Sequence, residues 1–239
     1  MKNNSLSEQL PDGMKHHIFT SHLCRRDIGY NVYLPSDYET TNISYPVHYH
    51  FHGWRGNEYS DVAAMEAAYR NENKVFVFPS IPEEEDLPVE RMFFDEFIPE
   101  IERLYRISSV QRTISGFSMG GGMAVWYACK HPGMFTDVIA YAGTFHHYYH
   151  KDFMTPYVSV ERAEELYRGM LQTNWESDKN LIAWFDRTPK DAFCLGLRVG
   201  TDDPLYCDAE VLHRHLVSRG FPHTYKIVAG VGHSLADIV

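Results

Sequence analysis

The sequence predicts an α/β fold: one mostly parallel central sheet with helices on both faces and a lid-like insertion. Three observations predict it. From about residue 45 onward, short apolar runs alternate with helical segments, the pattern of parallel strands joined by crossover helices. The run Lys74-Val75-Phe76-Val77-Phe78 is continuously apolar and too short for a helix, as expected of a strand buried on both faces. A Gly-x-Ser-x-Gly pattern lies inside Ser115-Gly116-Phe117-Ser118-Met119-Gly120-Gly121-Gly122, between a strand-like run, Arg112 to Ile114, and a helix-like run, Met123 to Lys130. A sharp strand-to-helix turn is the setting in which this pattern presents a nucleophile.

In chain order, Met1 to about Met14 reads as a polar lead-in. Strand-like segments follow at His17–Leu23 and Tyr30–Leu34; with so short a link they are expected to form an antiparallel edge. Tyr45 to His52 is a strand that runs into Gly53-Trp54-Arg55-Gly56. Asp61 to Arg70 has helical composition, and Pro82 to Asp86 is a charged loop expected to be solvated. From Phe93 to Tyr105 apolar residues follow a helical period, with Pro99 set to kink that helix or mark its start. Asp137–Tyr141, Ala192–Val199 and Thr224–Val228 read as strands, and Tyr206–Arg219 as a helix ended by Gly220. The stretch from Thr144 to Asp191 carries no strand signal. It leaves the sheet at the carboxyl edge, where open parallel sheets place their ligand crevice, so 144–191 is expected to be a lid or pocket insertion.

The chain has 239 residues, and residues 1–239 are expected to form one domain around a sizeable core. The formal net charge of −10 argues against nucleic acid and anionic membrane as partners, since both need clustered Lys and Arg. The first residues show no signal-peptide core and no run approaches membrane-spanning length. Cys24, Cys129, Cys194 and Cys207 are widely spaced, which favours free thiols in a reducing compartment. A cytoplasmic protein acting on a small molecule is therefore expected, with a homo-oligomer left open.

A serine hydroxyl needs a base to take its proton, and the base needs a third group to orient it. On a sheet of this kind the order along the chain is serine, acid, histidine. After Ser118, the strand ending at Val199 is followed by Gly200-Thr201-Asp202-Asp203-Pro204, and the last strand by Gly230-Val231-Gly232-His233. Asp202 and Asp203 compete for the acid role, because adjacent residues do not both reach one imidazole. The backbone N–H of Met119 and, from the His52–Gly56 loop, that of Trp54 are the expected oxyanion donors. His48, His50 and His52 alternate along one strand and share a face, but no acidic ligand follows at metal-site spacing, so no metal is expected. Phe145, His146 and His147 are candidates for an aromatic pocket wall.

With these residues in hand the chain resembles the α/β-hydrolase superfamily, specifically the esterase D and feruloyl-esterase-like group. The resemblance covers about residues 17 to 234. It rests on Val32-Tyr33-Leu34-Pro35, on Tyr45-Pro46-Val47 running into His52-Gly53, on Glu96-Phe97-Ile98-Pro99-Glu100-Ile101-Glu102, and on Gly116 to Gly121 followed by His131-Pro132-Gly133-Met134-Phe135. It implies that Asp203, fourth in Gly200-Thr201-Asp202-Asp203, is the acid and that His233 is the base. It implies hydrolysis of carboxylic esters through an acyl-serine, without a cofactor. An acyltransferase using the same site, or a binding protein of the same fold, are the alternatives. Two departures stand out: only Ser234 to Val239 follow the histidine, where the family continues into a closing helix, and 144–191 matches no pattern of the family.

Overall fold

The computed structural model describes residues 10–84, 86–145 and 181–239. Eight strands form one sheet: β1 (Met14–Ser21), β2 (Arg26–Tyr33), β3 (Tyr45–Phe51), β4 (Val75–Pro79), β5 (Ile107–Phe117), β6 (Asp137–Tyr141), β7 (Cys194–Gly200) and β8 (His223–Val228), in the order β1-β2-β4-β3-β5-β6-β7-β8. β1 pairs antiparallel with β2, and β2 with β4; every later pairing is parallel. The antiparallel edge and the parallel centre are those expected. The strand order reverses direction between β3 and β5, which are neighbours in register, His50 beside Ser115 and Phe51 beside Gly116. A ligand crevice belongs at such a switch point, outside the carboxyl ends of the strands. Both chain segments that leave β3 and β5 therefore emerge side by side.

The helices are α1 (Glu66–Asn71), α2 (Val89–Arg91), α3 (Ile98–Leu104), α4 (Met119–Lys130), α5 (Leu181–Arg187), α6 (Tyr206–Arg219) and α7 (Leu235–Ile238), with a π-helical segment, Met92–Phe97, joining α2 to α3. Among the described residues no helix is long and apolar enough to cross a membrane. β4 is buried along its whole length. On one face, the Phe93 ring packs against Tyr49 (5.5 Å between centroids), Phe51 (4.8 Å) and Tyr127 of α4 (6.0 Å). On the other face Tyr69 of α1 lies over Phe76 and Phe78 of β4. The core is thus aromatic on both sides, which gives large buried area with few rotatable bonds.

Three local departures from the sequence reading have physical reasons. The helix read from Phe93 begins earlier, at Val89, and Pro99 stands in the first turn of its last α-helical segment, α3. A proline has no N–H to give the previous turn, and its ring presses on the carbonyl four residues back. The wider π turn takes up this misfit: Ile98 N–H bonds to Phe93 O, five residues back. α1 starts at Glu66 rather than Asp61, because residues 57–65 form turns and Asp61 is engaged with the sheet through His50. β5 starts at Ile107; its polar first half, with Val110 76% exposed, hides it from a pattern search. Most of the 144–191 segment lies outside the described residues.

Candidate active site

β5 ends at Phe117 and α4 begins at Met119, so the whole change of direction falls on Ser118. Ser118 takes φ 54° and ψ −115°, a strained conformation for a residue with a Cβ. Two glycines let the turn close. A Cβ on Gly116 would stand 2.3 Å from the Gly120 carbonyl carbon, and one on Gly120 would stand 2.3 Å from the Phe51 carbonyl oxygen. The strain is held from both sides: Ser118 N–H donates to Tyr141 O (2.9 Å), and Ser118 O accepts from Gly122 and Thr144 (both 3.1 Å). The side chain thereby sits at the N-terminal, electropositive end of α4.

The predicted acid and base lie in the loops after β7 and β8. His233 Nδ1 lies 2.8 Å from Asp203 Oδ2, and the other carboxylate oxygen of Asp203 accepts the Leu205 N–H at 2.7 Å. Asp203 is a carboxylate that only accepts, so His233 Nδ1 carries the hydrogen and Nε2 is the proton-accepting nitrogen. The Asp203 side chain is fully buried. The imidazole lies against the ring of Phe117, the residue before Ser118, at 4.6 Å between centroids and tilted by 30°. Asp202, by contrast, is exposed; its carboxylate accepts from Thr201 Oγ1 (2.9 Å), and its N–H donates to Val231 O (3.0 Å). The two aspartates divide the work: Asp203 turns inward to the histidine, and Asp202 laces the two loops together. After His233, Leu235 and Ile238 of α7 are buried in the core and hold the histidine loop from its far side.

The loop after β3 packs directly on the serine. A Cβ on Gly53 would lie 3.2 Å from the Phe117 ring and 3.5 Å from Ser118 Cβ. His52 fixes the entry to this loop. Ile81 N–H donates to His52 Nε2 (2.8 Å), so Nδ1 carries the hydrogen and donates to Gly53 O (2.7 Å). Gly56 N–H closes the turn on Gly53 O at 2.9 Å, and Arg55 takes φ 62°. The Arg55 N–H donates to the Glu83 carboxylate, so the charged loop read as merely solvated contributes a clamp here. Trp54, 39% exposed, carries the Arg55 guanidinium 5.0 Å from its ring. Trp54 follows the Gly53 that packs on Ser118, and Met119 opens the first turn of α4, where helix N–H groups have no partner within the helix.

Of the predicted site residues, Asp203 and His233 are hydrogen-bonded to each other, His233 lies against Phe117 beside Ser118, Met119 follows Ser118 at the start of α4, and Trp54 follows the Gly53 that packs on Ser118. Phe145 is 4% exposed and lies in the core, its ring against Gly143. His146 and His147 lie outside the described residues. His48 Nε2 and both nitrogens of His50 are spent on Ser115 and Asp61, and His52 is spent on backbone. Among the described residues no group of three His, Cys, Asp or Glu side chains is placed to hold a metal. Sequence reasoning missed Asp61, Ser115 and Glu83, whose partners are distant in the chain.

Comparison with known proteins agrees with this geometry. The model of the Esterase family, described as "Putative esterase", matches residues 89–236, more than half of the chain. The curated relative Esterase Rv1288 of Mycobacterium tuberculosis H37Rv is 30% identical over 48% of this chain and 29% of its own length, so the chain spans less than a third of that relative. Among solved structures, a ferulic acid esterase superposes with a TM-score of 0.72 at 22% identity, covering 93% of this chain and 91% of the other. The S-formylglutathione hydrolase FrmB of Staphylococcus aureus gives 0.76 at 15% identity, covering 93% of each chain. FphF, a fluorophosphonate-binding serine hydrolase of the same organism, gives 0.78 at 16% identity over 94% of this chain and 92% of its own. These likenesses show a shared fold. The chain has the α/β-hydrolase fold and belongs to the esterase family.

Proposed function

We propose that this protein is a serine esterase, cleaving carboxylic esters of small alcohols or sugars through an acyl-serine at Ser118. The observation that carries the reading is the His233–Asp203 bond of 2.8 Å, on an imidazole packed against the residue before a strained, elbow-borne serine. In this reading Ser118 Oγ attacks the ester carbonyl while His233 Nε2 takes its proton. Asp203 keeps the imidazole in the required tautomer and stabilises the imidazolium that forms. The Met119 and Trp54 amides donate to the developing oxyanion, a role worth about two to three orders of magnitude per donor. His233 then returns the proton to the leaving alcohol, and water repeats the sequence on the acyl-serine. Every step is carried by side chains and amides of this chain. The four unpaired cysteines support a reducing compartment as its setting.

The names of the relatives supply two test substrates, a feruloyl ester and S-formylglutathione, and p-nitrophenyl acetate joins them as a general activated ester. Hydrolysis of at least one, releasing free acid, is the expected result. No hydrolysis above buffer for any of them would overturn the reading. Repeating the assay with an added alcohol separates hydrolysis from transfer: free acid should remain the main product, and a new ester as the main product would make the protein an acyltransferase.

A further inference from the structure

Beneath the elbow lies a buried polar chain that the proposed mechanism does not use. His48 Nε2 is 2.6 Å from Ser115 Oγ, Ser115 Oγ is 2.7 Å from His50 Nδ1, and His50 Nε2 is 3.0 Å from Asp61 Oδ2. His48, His50, Ser115 and Asp61 are 2%, 1%, 0% and 8% exposed. Their protons are ordered by elimination. The Asp61 carboxylate only accepts, so His50 Nε2 carries a hydrogen and Nδ1 accepts from the Ser115 hydroxyl. Ser115 Oγ then accepts from His48 Nε2–H, and His48 Nδ1 is left a bare acceptor. His48 Nδ1 is indeed a buried atom without a partner. Burial holds the His48 pKa well below the usual histidine range, in keeping with a neutral ring.

This chain joins the two halves of the candidate site. Ser115 is on β5, three residues before Ser118. His50 is on β3, and Asp61 closes the loop that leaves β3 and carries Trp54. The loop is pinned at its start by His52, near its middle by the Asn31 side-chain amide on Glu58 O (2.9 Å), and at its end by His50 on Asp61. A sheet centre packs at lower cost with apolar side chains, and this one is already walled by Phe76 and Phe78 beside the two imidazoles. A fully ordered polar chain there sets one geometry among several that apolar packing would allow.

We propose that the His48–Ser115–His50–Asp61 chain positions residues 53–60 against Ser118, with His50 and Asp61 as positioning residues for the oxyanion donor. The proposal rests on the esterase reading for its effect on turnover, and on the loop alone for its effect on mobility. The test uses Asp61→Ala, which removes the acceptor, and Asp61→Asn, whose side-chain carbonyl can still accept from His50. Hydrogen exchange of the backbone amides is read by mass spectrometry beside kcat and KM on p-nitrophenyl acetate. In Asp61→Ala, exchange within 53–60 is expected to rise by about tenfold or more while amides of β3 and β5 keep their protection. There kcat is expected to fall about 10- to 100-fold with KM within about twofold, because a misplaced donor weakens the transition state more than substrate binding. Asp61→Asn should lie within about threefold of wild type in both readouts. Should Asp61→Ala not fold, Ser115→Ala removes the hydroxyl that orders the His50 proton and should loosen the same segment. Unchanged exchange in 53–60, or exchange rising equally in β3 and β5, would overturn the proposal. Unchanged loop exchange in an active enzyme defeats the positioning role and leaves the esterase reading intact. An inactive wild-type protein defeats the esterase reading, and the loop's exchange still decides the positioning role.

Discussion

Ser118→Ala is expected to abolish ester hydrolysis while the protein stays folded. Removing a serine nucleophile from a complete triad costs about six orders of magnitude in kcat. The fold should not suffer, because what holds the elbow is backbone. The bonds from Ser118 N–H to Tyr141 O and from Gly122 and Thr144 to Ser118 O persist with alanine. The room for the turn is made by Gly116 and Gly120, and the strain at φ 54° is the same for any residue with a Cβ. The melting temperature should move by no more than about 4 °C, the equivalent of about 1 kcal/mol in a chain of this size. Hydrolysis by the variant at the wild-type rate would show that another group is the nucleophile.

The second large effect separates two adjacent residues. Asp203→Asn is expected to lower kcat by about four orders of magnitude, and Asp202→Asn to leave it within about threefold of wild type. The Asp203 side chain is fully buried, with one oxygen on the imidazole and one on Leu205 N–H. An amide there can present its NH2 to His233 Nδ1, which then accepts and leaves the hydrogen on Nε2, the wrong tautomer for a base. Asp202 is exposed, and an amide oxygen can replace its carboxylate toward Thr201. Steady-state kinetics on both variants decides it; equal losses would show that the loop's shape, and not the charge at 203, is what matters.

Much of the fold was legible because the constraints that make it are local. The Gly116–Ser118–Gly120 spacing records a backbone approach that excludes a Cβ at both glycines. The alternation of strands and helices from residue 45 implied the parallel sheet, and the all-apolar β4 implied its burial on both faces. The loops after β7 and β8 could be located because each follows an apolar run. What stayed hidden depends on register and on distance along the chain. Choosing between Asp202 and Asp203 from residues alone fails, since both are turn formers; the turn's geometry sends one in and one out. The partners of His48 and His50 in β3, Ser115 and Asp61, are found only once β5 is laid beside β3. The extension of the helix ahead of Pro99, back to Val89, runs through a π turn that the apolar spacing does not mark. Glu83 gave no sign of reaching the Arg55 amide from another loop.

The central claim is that Ser118 is the residue that becomes acylated, and covalent labelling tests it most directly. The wild-type protein treated with a fluorophosphonate should gain the mass of one adduct, and peptide mapping should place it on Ser118. Ser118→Ala should gain none. An adduct on a different residue, or a wild-type protein that takes none, would contradict the account.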